Sequence, residues 1–234
     1  MKKIKVAIIG LGVVGTKRKF FLSKNMKYSI KYISDTRFKK DFAVNNINYF
    51  RNFKKIPFEN IDAVFVTLPN FLAPEVTIYF LKKNIHVFCE KPPGRNVQDV
   101  KNVLKVYKKN KKLKLKYGFN HRYHRALLKA KDIVNSGGLG ELMFIRARYG
   151  HGARVGYDRE WRADPKLSGG GELIDQGPHL IDLARWFLGD FPHVQGFAHT
   201  YYWDMPVDDN GFMLLKTEKN QVAFLHASCT EWKN

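Results

Sequence analysis

The chain has 234 residues, 44% of them hydrophobic, with only two cysteines; this is the composition of a soluble globular protein with one large or two modest packed domains, and it excludes a disulfide-built scaffold. No segment reaches the ~20 apolar residues of a membrane span, so none is expected to cross a bilayer. The formal charge of +20 lies wholly in residues 1–120, where 27 Lys and Arg face 7 Asp and Glu, while residues 121–234 carry 14 of each.

Such asymmetry is one signature of a polyanionic partner. However, only Arg18, Arg37, Arg51 and Arg95 among those 27 are arginines, the residue favoured for bidentate phosphate and base recognition. The dense cluster from Lys108 to Lys116 also runs across a helix end and an alternating strand. A solvated lysine-rich surface is therefore the expectation, and nucleic acid is not the expected partner. Cys89 and Cys229 sit far apart in apolar strand-like segments, as small core residues of a reducing, cytoplasmic protein do.

The N-terminal run MKKIKVAIIGLGVVG lacks a small-residue cleavage site and is closed by Lys17, Arg18 and Lys19, so it reads as a strand and not as a secretory leader. Lys5 to Ile9 is predicted as a buried strand, Thr16 to Ser23 as a helix and Tyr28 to Ser34 as a second strand. The stretch from Phe38 to Lys55 is mixed. Ile61 to Leu68 is a third strand, stopped by Pro69; a helix follows Pro74 to about Lys83. Ile85 to Cys89, Val97 to Lys108 and Leu113 to Phe119 then read as strand, helix and strand. This alternation predicts an α/β Rossmann domain over residues 1–120, with a doubly wound parallel sheet. Residues 121–234 change character. A helix from His124 to Val134 and a strand from Leu142 to Arg148 lead into a glycine- and charge-rich loop ending at Gly171. Helical LIDQGPHLIDLARWFLG follows, then strands at Val194 to Trp203, Phe212 to Leu215 and Val222 to Ser228, the last two as an antiparallel hairpin. The second domain is thus an α+β fold with a mostly antiparallel sheet.

Three motifs carry chemistry. GLGVVG, comprising Gly10, Leu11, Gly12, Val13, Val14 and Gly15, follows a strand and opens a helix, and Asp35 closes the second strand. Glycines so placed allow a tight turn, a close pyrophosphate and tight helix–strand packing, while the acidic side chain accepts hydrogen bonds from an adenosine ribose and repels a 2′-phosphate. That favours NAD; Arg37, two residues on, keeps NADP as the alternative. Glu90-Lys91-Pro92-Pro93 sits past the carboxyl end of a strand, where open α/β sheets place ligands. In GGGELIDQGPHLIDL a continuous helix puts Asp175, His179 and Asp182 on one face, suited to a carboxylate-supported general base, to a plain surface ion pair or to a satisfied core histidine. Pro178 either kinks that helix or marks its start, with Asp175 just upstream. His121 and His151 lack metal-site spacing, and no metal is expected.

Together, GLGVVG, EKPP and GGGELIDQGPHLID resemble the glucose-fructose oxidoreductase and inositol dehydrogenase family, Gfo/Idh/MocA, in order and spacing across nearly the whole chain. The resemblance implies an NAD(P)-dependent oxidoreductase acting on a secondary hydroxyl or carbonyl of a sugar, nucleotide sugar or cyclitol. It implies catalytic roles for Lys91, Asp175 and His179 and a cis Lys91-Pro92 bond. Cofactor contacts are implied for Thr67, Leu68, Pro69, Asn70 and Glu90. Asn120 and Arg122 match a substrate-side segment, and Tyr149, Arg154, Tyr157, Trp161 and Arg162 of the following loop are expected to wall a sugar pocket. In that scheme His179 takes the hydroxyl proton, Asp175 supports its imidazole and Lys91 hydrogen-bonds the same oxygen. A dimer or tetramer through the C-terminal sheet is also implied. Two departures stand out: Ala73 or Pro74 replaces the family's histidine after TLPN, and the chain ends at CTEWKN, where relatives continue through further strands, so that the second sheet is expected to be incomplete. Two further readings are a glycosidase that transiently oxidises its substrate through bound NAD and a dinucleotide-binding protein without turnover.

Overall fold

In the computed structural model, which describes residues 2–231, the chain divides into two compact units, Met1–Gly118 and Phe119–Asn234. The terminal Trp232, Lys233 and Asn234 of CTEWKN lie outside the described residues.

The first unit is built on a seven-stranded sheet. Its elements are β1 (Ile4–Ile9), α1 (Val13–Lys24), β2 (Tyr28–Ser34), β3 (Phe42–Val44), β4 (Ile47–Phe50), β5 (Ala63–Val66), α2 (Ala73–Lys82), β6 (His86–Cys89), α3 (Val97–Tyr107) and β7 (Leu115–Tyr117). The strand order is β3-β4-β2-β1-β5-β6-β7, parallel throughout except for the edge pair β3–β4. Both faces are covered, which explains why Val6–Ile9 of β1 and Ala63–Val66 of β5 are apolar at consecutive positions. Val6 and Ile8 of β1 join a cluster with Leu22 of α1, while Ala7 and Ile9 face the cluster holding Val76 and Phe80 of α2 and Val103 of α3. The order reverses between β1 and β5, so their carboxyl ends flank the crevice in which doubly wound sheets bind ligands.

The mixed stretch contains the β3–β4 hairpin. Its turn is Asn45-Asn46, with φ of 50° and 62°, the left-handed pair that a two-residue hairpin requires and that asparagine tolerates. Residues 42–50 are thus an antiparallel edge on an otherwise parallel sheet.

The second unit contains α4 (Arg125–Asn135), β8 (Phe144–Gly150), α5 (Pro165–Ser168), α6 (Glu172–Asp175), α7 (Gly177–Leu188), β9 (His193–His199), β10 (Asn210–Lys216) and β11 (Val222–Ser228). Its sheet runs β8-β11-β10-β9; β8 is parallel to β11 and the other two pairings are antiparallel, the β10–β11 hairpin among them. One face packs against α7 through Leu180, Ala184, Met213, Leu215 and Leu225. The opposite face leaves Phe144, Phe197, Leu214 and Phe224 exposed.

Of the two forms open to LIDQGPHLIDLARWFLG, the structure has the one that starts near the proline: Pro178 lies in the first turn of α7, where its missing N–H costs nothing, and Asp175 ends α6 just upstream. One expectation changes here. The strand predicted from Val194 to Trp203 ends at His199, because the next N–H groups turn to a carboxylate. Asp209 is fully buried and accepts from the backbone N–H of Tyr201 at 2.9 Å, Tyr202 at 2.7 Å and Trp203 at 3.1 Å, and from the Asn210 amide at 3.0 Å. Its neighbour Asp208 accepts from the N–H of Gly171 at 2.9 Å and Leu173 at 2.7 Å, capping the amino end of α6 from a distant part of the chain.

Burial alone raises the Asp209 carboxyl, but the N–H of Tyr202, with Asn210, Tyr201 and Trp203, outweighs it and holds the group below the usual carboxylate range. A carboxyl depressed on folding adds stability above its unfolded value of ~3.9, and that contribution is lost as pH falls through the folded value. Asp209→Ala is expected to lower unfolding free energy by about 2–4 kcal/mol in urea titrations at pH 7, and by less near pH 2.

Candidate functional site

In the first unit the predicted residues gather at the carboxyl ends of β1, β2, β5 and β6. The turn after β1 depends on close packing. Gly10 has φ +91°, and a Cβ there would lie 2.6 Å from the carbonyl oxygen of Thr67; a Cβ on Gly15 would lie 2.0 Å from the carbonyl oxygen of Gly10. The Thr67 hydroxyl reaches the Gly10 carbonyl oxygen at 2.6 Å and so ties the β5 end to the turn. Gly12 differs. It caps the amino end of α1, and a Cβ at that position would meet nothing within 4 Å. The protein's own packing gives no reason for glycine there, whereas a phosphate lying on the backbone does. Val13 and Val14 are exposed on the same turn.

Asp35 accepts from the N–H of Leu11 at 2.7 Å, fastening the turn to the end of β2. Its other contacts are with Arg37, through the N–H at 2.9 Å and the guanidinium at 2.8 and 2.9 Å. Burial works to raise this carboxyl; the Arg37 guanidinium, then the N–H groups of Arg37 and Leu11, overcome it and hold the carboxyl at about 2. An ionised acceptor therefore stands beside the phosphate turn.

Asn70 is buried, while Thr67, Leu68 and Pro69 are half-buried ahead of α2. Ala73 and Pro74, at the position of the departure from the family pattern, are buried in the first turn of α2. After β6, Glu90 takes the Arg18 Nε at 2.6 Å, and the Arg18 guanidinium lies 4.8 Å from the centre of the Phe88 ring. A helix that starts at the glycine turn is thereby tied to the residue before Lys91. The Lys91-Pro92 bond is cis and Lys91 is half-buried. Cys89 is a buried free thiol, pushed up to about 12 by burial and therefore inert.

In the second unit His179 is buried at 4% exposure, on the first turn of α7. The His121 ring, from the short helical turn Asn120–Tyr123, stacks on it with centroids 4.0 Å apart and planes 6° from parallel. Phe119 meets His179 edge-on at 6.2 Å, and Tyr149 of β8 lies 5.1 Å from His121 and 6.0 Å from His179. Burial, with the charges of Asp175 and Glu172, raises the Tyr149 phenol and keeps it protonated. Asp175 ends α6 and receives the Arg162 Nε and the Gln176 amide, both at 3.3 Å. Asp182 pairs with Arg122 through two bonds of 2.7 Å, so α7 is strapped to the Asn120–Tyr123 turn. Asn120 is exposed, Arg154 is exposed and bonded to Glu160 at 2.6 Å, and Trp161 is half-buried under the Arg162 guanidinium at 4.6 Å.

Tyr157 departs from its expected place in a pocket wall. It is 4% exposed and gives its hydroxyl to Glu172 at 2.7 Å, inside a cluster with Ala163, Met205, Val207 and Cys229. The loop from Gly150 to Gly171 is therefore anchored by its own core. Glu172 is itself buried, with the His151 imidazole 3.4 Å away. Sequence reasoning passed over Glu172, although a carboxylate among apolar residues was a readable signal. It also set His121 aside, and nothing local in the sequence links that residue to His179. Among the described residues no group of three His, Cys, Asp or Glu is placed to hold a metal ion, and no helix is long and apolar enough to cross a membrane.

Residues 4–119 match the family model described as an oxidoreductase family with an NAD-binding Rossmann fold, and residues 127–234 match the GFO/IDH/MocA C-terminal domain. The chain is 29% identical over 160 residues to levoglucosan dehydrogenase of Pseudarthrobacter phenanthrenivorans, an alignment covering 68% of this chain and 41% of that one. It is 34% identical over 143 residues to D-glucoside 3-dehydrogenase of Escherichia coli, covering 60% and 39%. The aligned part thus spans less than half the length of either relative. A solved levoglucosan dehydrogenase in complex with NADH superimposes with a TM-score of 0.87 at 22% identity, covering 99% of this chain and 68% of that one.

The carboxylate at the end of β2 gives a direct check on the glycine turn. In carboxyl-resolved NMR titration of the free protein, Asp35 is expected to titrate near pH 2. Arg37→Ala should raise that midpoint toward the ordinary ~3.9, because the guanidinium that stabilises the ionised form is gone.

Proposed function

Because the chain belongs to the Gfo/Idh/MocA oxidoreductase family, we propose that it is an NAD-dependent dehydrogenase acting on a secondary hydroxyl or carbonyl of a sugar, nucleotide sugar or cyclitol. The observation that carries this reading is the space over Gly12, free of protein atoms at the amino end of α1 and next to the ionised Asp35. The names of two relatives, a levoglucosan and a D-glucoside dehydrogenase, support the substrate class.

The residues present fit a dinucleotide. Backbone N–H groups of the turn from Gly10 to Gly15 hold its pyrophosphate, helped by the partial positive charge of the helix end. Asp35 accepts from the adenosine ribose hydroxyls and disfavours a 2′-phosphate. Thr67 to Asn70 and Glu90 fix the second ribose. A dinucleotide held there would supply hydride exchange with the substrate carbon.

His179 is the general base that takes the proton of the reacting hydroxyl, and its burial keeps competing water away. Asp175 supports the imidazolium that results. Lys91 donates to a substrate oxygen and stabilises its developing negative charge. Asn120, Tyr149 and Trp161 present polar and aromatic surface suited to a sugar ring, with Arg122, Arg154 and Arg162 around them. The exposed apolar face of the second sheet, with Phe144, Phe197, Leu214 and Phe224, is the surface for a dimer or tetramer. The two buried free thiols fit a cytoplasmic location.

Two measurements test the reading. His179→Ala is expected to lower kcat for NADH formation by ~10² or more while the Kd for NAD stays within about twofold; unchanged turnover removes His179 from the mechanism. Assayed with levoglucosan, a D-glucoside and myo-inositol, Asp35→Ala should weaken NAD more than NADP. A wild-type chain that uses NADP alone contradicts the role given to Asp35.

A further inference from the structure

We infer that His121 is a positioning residue for His179: its ring fixes the plane of the buried imidazole, and its own proton keeps His179 uncharged and ready to act as a base. The inference rests on the dehydrogenase reading for what His179 does, but the coupling between the two rings stands on geometry within the second unit alone.

The rings overlap face to face at 4.0 Å and 6°, the separation of van der Waals contact. Phe119 closes on His179 at 88° and Tyr149 lies beside both rings, so the His179 ring has little room to rotate. Two imidazolium charges at that separation repel strongly, so the pair takes up protons in two well-separated steps. The partition of the first proton follows from exposure. His121 is half-buried on a surface turn, whereas His179 is 4% exposed and pays the larger desolvation cost on charging.

The other groups set around the pair in this unit are already committed. Tyr149 on β8 is kept as a neutral phenol. Asp175 on α6 has the Arg162 guanidinium against it, and Asp182 on α7 is bonded to Arg122. Glu172 on α6 takes the Tyr157 hydroxyl and faces His151. The carboxylate charges of Asp175 and Glu172 still reach Tyr149 beside the pair and favour a proton on either ring; contact between the two rings opposes a second one. A protonated His121 in van der Waals contact therefore holds its neighbour neutral to lower pH than burial alone would.

The test is an NMR titration of the imidazole nitrogens in the full chain without ligand, with the His179 signals identified by their loss in His179→Gln. His121→Phe keeps the stack and removes the charge. In that variant the His179 midpoint is expected to rise by about one pH unit and its titration to collapse to a single step. His121→Gln, which removes both ring and charge, should move the midpoint in the same direction. A midpoint unchanged or lowered in both variants overturns the inference, whether or not the protein turns over. Shifted titration together with no NADH from levoglucosan, a D-glucoside or myo-inositol overturns the dehydrogenase reading and leaves the coupling in place.

Discussion

Two adjacent carboxylates, half-buried Asp208 and fully buried Asp209, organise the second unit. Asp209 collects the N–H groups of Tyr201, Tyr202 and Trp203, and its own carbonyl oxygen accepts from Cys229 beyond β11 at 2.9 Å. Asp208 grips Gly171 and Leu173 with its side chain and Glu172 through its carbonyl oxygen at 2.9 Å. One dipeptide thus joins the β9–β10 connection, the residues after β11 and the start of α6. Because α6 leads through Gln176 directly into α7, the positions of Asp175 and His179 follow from that clasp. Burying a carboxylate such as Asp209 is costly unless its oxygens are satisfied, and here the backbone and the Asn210 amide supply the donors.

The first unit reaches its geometry differently, by close packing of main chain on main chain. The Gly10 and Gly15 backbones approach Thr67 and each other too closely for any side chain, and Asp35 adds one directed bond to Leu11. The turn is held from β2, β5 and its own helix before any ligand arrives. Arg18 extends the same framework to Glu90 and the Lys-Pro bend. Preorganised backbone donors of this kind need little rearrangement to accept an anion.

Periodicity made most strands and helices of the first unit legible, since β1, β5 and β6 are largely apolar runs bounded by glycine, proline or charge. The β3–β4 hairpin was not legible as strand because its seven residues are few, but Asn45-Asn46 between two aromatic-bearing segments was a usable turn signal. Pro178 left two helix boundaries open, and the break at Gln176 agrees with the one that starts a helix near the proline. Several motif residues of the site were readable because they stand next to a glycine or proline that marks a special backbone, as Leu11 does beside Gly10 and Gly12, Asn70 after Pro69, Lys91 before Pro92 and His179 after Pro178. His121 and the Asp208-Asp209 clasp were not, because each acts on a partner far away in the chain. Tyr157 looked like a pocket aromatic for the same reason: only the fold reveals that its hydroxyl belongs to Glu172.

The order of strands in the second sheet bears on how the chain assembles. β11, synthesised last of the four, lies between β10 and β8, and it is the only strand that pairs with β8 among the described residues. As the chain emerges from the ribosome, residues 144–150 therefore wait unpaired through the making of α5, α6, α7 and two further strands. Native pairing across so long a separation carries a high entropic barrier and leaves an apolar edge open meanwhile. Slow maturation of this half, and dependence on helpers that shield nascent strands, are built into the topology itself.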